Sequence, residues 1–201
     1  MTTGARILRP LDPVERYFSL LDHVAPCSPV VEVGCDRLLD PDQLREGLRL
    51  LQDRHPLLGA RIDHVDGEPV FVTTAHPPAL AVIDEGESWV RRAELAFDTR
   101  LGSGEQPLLR AEYIPHAGED RSTLLLVVHH AIADGRSARR LAQRLMQWVE
   151  CGDDALPPAS PLPPALHERF PEQLKAARAA AEVLAAVREE RAAVGTSDPL
   201  T

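Results

Sequence analysis

The 201-residue chain is 44% hydrophobic, enough to bury a genuine core as one domain, or one domain and a small appendage, without help from a disulfide or metal. Twenty-two Lys and Arg against 31 Asp and Glu leave a net charge of -9, which repels a phosphate backbone and argues against a nucleic-acid partner. Cys27, Cys35 and Cys151 show neither CxxC spacing nor an even count, and no apolar run approaches the roughly 18 residues of a membrane span. These features fit a reducing, cytoplasmic setting, with the cysteines as small apolar residues and no secretory leader.

In chain order, Asp12-Pro13 opens an amphipathic helix over 11–24 that carries Val14, Tyr17, Phe18 and Leu21. The β-branched run Val30 to Cys35 predicts a strand. Asp40-Pro41 opens a second helix with Leu44, Leu48 and Leu51 on one face, stopped before Pro56. Leu58 to Val65 and Pro69 to Thr74 then read as a hairpin around Asp66-Gly67. A short strand over 79–83 and a helix around Trp89 to Phe97 follow.

Leu108 to Pro115 and Ser122 to His130 predict paired strands, and the second is apolar nearly throughout, as befits the middle of a sheet covered on both faces. After the turn 131–135, Ala138, Leu141, Ala142, Leu145, Met146 and Val149 recur at helical spacing. LPPASPLPP, from Leu156 to Pro164, is a stiff connector. Phe170, Leu174, Ala177, Ala181, Leu184 and Val187 place one apolar stripe on a long helix beginning at Glu168. The predicted organisation is a lobe over 1–155, a Pro-rich connector over 156–167, and a helical segment over 168–201. The fold class is α/β, an α+β sandwich with a mixed sheet flanked by helices.

Chemistry concentrates in LLLVVHHAIADGRSARRLAQRL, which sets His129 and His130 at a strand end and Asp134-Gly135 before a helix. Alternation along a strand sends the two imidazoles to opposite faces, so only one serves a given cleft as a base. Two histidines and an aspartate are also good metal ligands, but adjacent residues diverge and no third histidine sits at ligand spacing, so no metal is expected. His55 reads as a turn residue, and His23, His64, His76, His116 and His167 as solvated. Arg136, Arg139, Arg140 and Arg144 form either a solvated helix face or a greeting surface for phosphopantetheine.

HHAIADG, His129 to Gly135, resembles the HHxxxDG motif of the superfamily that includes nonribosomal peptide condensation domains, chloramphenicol acetyltransferase and polyketide-associated acyltransferases. LDPVE at the start and DRHPLLGARI at Asp53 to Ile62 look like the opening of such an enzyme, and the connector is similar to that of the mycobacterial phthiocerol dimycocerosyl transferase group. The resemblance implies a chloramphenicol acetyltransferase-like lobe that moves an acyl group from a carrier-protein or coenzyme A thioester to an alcohol or amine in polyketide, lipid or nonribosomal peptide biosynthesis. It implies His130 as the base, His129 as a residue that orients or packs beneath it, Asp134 as a structural aspartate paired with an arginine, and Gly135 as a point of close backbone approach. Arg136, Arg139 and a residue of another lobe all remain open as that arginine.

No cofactor beyond the thioester is implied. Members of this superfamily have two lobes with a tunnel between them, and this chain reads as the N-terminal one: a fragment, one half of a split enzyme, or a relative that kept the lobe for binding alone. The expected partners are an acyl carrier protein or coenzyme A, the second lobe, and a further copy of the chain. The alternative function is a non-catalytic lobe that binds a carrier protein or another partner.

Overall fold

The computed structural model describes residues 5–102, 104–152, 156, 158–165, 168 and 172. The chain divides into two compact units, residues 1–163 and 164–201. The helix expected from Glu168 to Ala193 lies almost wholly outside the described residues, and everything below concerns the first unit.

Two sheets form the frame. In the first, β1 (Ile7–Pro10), β4 (Glu68–Thr73) and β3 (Ala60–Val65) lie in the order β1-β4-β3, all antiparallel. Asp66 and Gly67 close the β3–β4 hairpin with φ of 53° and 82°, the left-handed pair that a two-residue turn demands. In the second, β2 (Val30–Cys35), β7 (Arg121–Val128), β6 (Leu109–His116) and β5 (Ala79–Val82) lie in the order β2-β7-β6-β5. Only the β5–β6 pair is parallel, so the sheet is mixed. The expected α/β class, a mixed sheet flanked by helices, is what the structure has.

Strand β7 is central, and Leu124 to Val128 are buried on both faces, which explains its unbroken apolar sequence. Helices α2 (Pro41–Arg54) and α4 (Gly135–Cys151) cover one face with Leu44, Leu48, Leu51, Ala138, Ala142 and Leu145. Helix α3 (Trp89–Asp98) covers the other through Ala96, packed with Val127. Leu108 ties the sheets together, since its N–H donates to Ala60 O at 3.1 Å and its carbonyl accepts from His129 N–H at 3.0 Å.

Helix α1 (Pro13–Val24) begins with a reciprocal cap: Asp12 accepts from the N–H groups of Val14 and Glu15, and Glu15 accepts from that of Asp12. Its amphipathic pattern is inverted. Glu15, Ser19 and Asp22 face inward, whereas Val14, Tyr17, Leu20 and Val24 are 48%, 59%, 69% and 87% exposed. No helix among the described residues is long and apolar enough to cross a membrane.

Candidate functional site

Strand β7 ends at Val128, so His129 and His130 sit in the turn just beyond the strand rather than on it. Their side chains nevertheless diverge. His129 is 3% exposed; His130 is half-buried and lies flat on Phe18 of α1, with ring centroids 3.8 Å apart and planes 4° apart. Phe18 is itself braced edge-on by Tyr17.

The turn is tied from several sides. His129 N–H donates to Leu108 O at 3.0 Å, and Ile132 N–H donates to His129 O at 3.0 Å. Ala131 N–H donates to His129 Nδ1, also at 3.0 Å. The imidazole is held below its ordinary pKa chiefly by burial, with His130, Arg100 and His23 pushing the same way and Asp22 opposing. His129 is thus buried in a setting that favours its neutral form.

Asp134 is exposed and accepts from Ser137 N–H at 2.7 Å, which makes it the N-cap of α4. Its carboxyl is held below the ordinary value first by the bonds from Ser137 and then by nearby charge, including Arg136. Among the described residues no salt bridge joins Asp134 to Arg136 or Arg139, and its carboxylate serves as a helix cap. A Cβ built on Gly135 meets no atom within 4 Å among the described residues.

The arginine face of α4 borders a cavity of about 640 Å³ whose other walls include His55, Leu58, Ile132 and Pro161. Arg136, Arg139, Arg140 and Arg144 all line it, and Asp134 stands at its edge. His55 is thus more than a turn residue. Burial and the Arg144 charge hold its imidazole below the ordinary value, and its Nε2 has no hydrogen-bond partner among the described residues. Among the described residues, no group of three His, Cys, Asp or Glu side chains is arranged to hold a metal ion.

Asp134 and the four arginines share this cavity, to which neither His129 nor His130 contributes; these two instead meet Phe18 and Asp22, neighbours that sequence reasoning missed. The signal was the polar series Glu15, Ser19 and Asp22 at four- and three-residue spacing, which marks a second, inward face of α1.

No family model matches the chain. Surfactin synthase subunit 2 of Bacillus subtilis (strain 168) is 28% identical over 155 residues, covering 74% of this chain and 4% of that protein. The condensation domain of the monacolin K polyketide synthase MokA superposes with a TM-score of 0.68 at 15% identity, over 90% of this chain and 42% of that one. The first condensation domain of the calcium-dependent antibiotic synthetase, in complex with a substrate analogue, superposes at 0.58 with 22% identity, over 76% of this chain and 40% of that one. The chain therefore spans less than half the length of each of these three proteins, and the structural likenesses establish its fold.

Proposed function

Because the chain has the fold of one condensation-domain lobe and resembles a nonribosomal peptide synthetase in sequence, we propose that it is the histidine-bearing lobe of an acyltransferase. The observation that carries this reading is the separation of the two histidines. His129 is sealed inside, while His130 keeps an accessible edge at the end of the central strand, on a rigid aromatic support.

A neutral imidazole so placed takes the proton of an alcohol or amine as its oxygen or nitrogen attacks a thioester carbonyl. Collapse of the tetrahedral adduct expels the thiolate, which recovers that proton from the imidazolium. Holding the two substrates in register and excluding water carries much of the remaining rate, and one lobe offers only one wall for that task. The rest of the site belongs to a second lobe, on this chain's natural precursor or on a separate chain.

The donor in this reading is the thioester of a carrier protein or coenzyme A. Four arginines line the cavity beside α4 and supply cations for the phosphate of a pantetheine arm. The pathway class is polyketide, lipid or nonribosomal peptide assembly, and no cofactor beyond the thioester is needed. A non-catalytic, carrier-binding lobe is the second reading, favoured by the apolar face that α1 leaves open.

The test is to purify from the natural host every polypeptide that holds this chain, supply an acyl-loaded carrier with alcohol and amine acceptors, and follow the acyl group by intact mass. Transfer to an acceptor is expected. Carrier binding without transfer, with all bound polypeptides retained, would overturn the enzyme reading in favour of the binding one.

A further inference from the structure

Asp22 is a buried acid that the proposed chemistry does not use. It is 2% exposed, and neither of its carboxylate oxygens has a hydrogen-bond partner among the described residues. Glu15, one face-repeat earlier on α1, is by contrast fully engaged by Arg9 and the helix cap. Arg100 Nε lies 3.5 Å and His129 Nε2 3.8 Å from Asp22 Oδ2.

The bond from Ala131 N–H requires a lone pair on His129 Nδ1. A neutral imidazole has one proton, so it must sit on Nε2, the atom that faces Asp22. The ring thus bridges two elements: Nδ1 holds the turn 129–132, and Nε2–H is directed at α1. Asp22 and Phe18 are four residues apart on that helix, on one side of it. Phe18 receives His130, and Asp22 receives His129.

We infer that Asp22 is a positioning residue, which fixes the His129 ring against α1 and thereby sets the turn that lays His130 on Phe18. The role rests on the reading of His130 as the base. Arg100, placed after α3, brings its Nε to the same carboxylate oxygen, at 3.5 Å.

The test uses histidine side-chain NMR on the full 201-residue chain, comparing the unaltered protein with D22N, D22E and S19A. In the unaltered protein, His129 should show an unprotonated Nδ1 and a protonated Nε2, and the His130 ring protons should be displaced upfield by the Phe18 ring. D22N, which keeps the shape and removes the charge, should lose most of that displacement. D22E, which restores the carboxylate with one more methylene to reach across the gap, should keep it. S19A alters the same buried face without touching His129 and should leave the His130 signals in place even where the melting temperature falls.

Two results overturn the inference. One is a D22N protein that melts lower while its His130 signals stay at their original positions, the behaviour of a merely structural acid. The other is a protonated Nδ1 on His129 in the unaltered chain, which needs no variant to fold. Neither readout uses turnover, so a failure of acyl transfer leaves this result standing, and unmoved His130 signals sink the positioning role even where transfer is demonstrated.

Discussion

Burial disfavours the charged form of His129 more than the nearby Asp22 carboxylate favours it, so its folded pKa lies below the ordinary 6.5. In the unfolded chain that imidazole titrates near its ordinary value. Over the interval between the two, the unfolded state binds a proton that the folded state refuses, so stability rises with pH there. The contribution is fully present above about pH 6.5 and is lost as pH falls below it. His55 acts in the same direction. Asp63 and Asp134, held below the ordinary 3.8, are lost only in a separate window at more acid pH. Urea midpoints taken from about pH 7.5 to about pH 5.5 should therefore fall, and less steeply in a His129→Asn variant. Equal slopes in the two proteins would show that His129 is not buried neutral.

At the same scale, the site was half legible. HHAIADG announced its histidines, and alternation announced that they diverge. The arginine partner of Asp134 was not legible, because an N-cap and an ion pair both ask for an aspartate before a helix. Phe18 and Asp22 were hidden for another reason: which residues of α1 meet the β7 turn depends on how the helix packs, and spacing within the helix does not set that.

Among the elements, the helix starts were plain because Asp12-Pro13 and Asp40-Pro41 place a capping acid before a proline fixed at helical φ. The hairpin at Asp66-Gly67 was plain for the same kind of local reason. Strand β1 was missed, since Ile7 to Pro10 is short, ends in proline, and is a strand only because β4 lies beside it, with a register irregularity between Ile7 and Arg9. Leu58 likewise reads as strand but falls in a 3-10 turn over Pro56–Gly59, where Pro56 fixes the first dihedral.

Helices α2 and α4 meet at Gly47. A Cβ there would lie 2.5 Å from Leu145 Cδ1 and 2.8 Å from Trp148 Cε3. Alanine gains up to about 1 kcal/mol in helix propensity, but overpacking a buried contact costs about 1–3 kcal/mol. The Trp148 ring leaves little room to relax, so Gly47→Ala should lower the urea midpoint, by about 1 kcal/mol in stability. A raised midpoint would show that the α2–α4 contact is looser than its geometry.

For the molecule as a whole, the open features lie together at the histidine end. Helix α1 turns Val14, Tyr17, Leu20 and Val24 outward, and His130 stacks on the same helix. A catalytic wall completed by further protein explains both, and it predicts that the isolated chain turns over at least about 100-fold more slowly than the assembly purified from the host. Equal rates per His130 would show that one lobe suffices.

The role of His130 as the base is tested most directly by acyl transfer by that assembly with His130 intact and with His130→Ala. Turnover should fall roughly 100- to 10,000-fold with the melting temperature unchanged, because the ring lies half-exposed on Phe18 rather than in the core. Turnover within about twofold of the original would contradict it, since removing a general base cannot leave the proton transfer unassisted at the same rate.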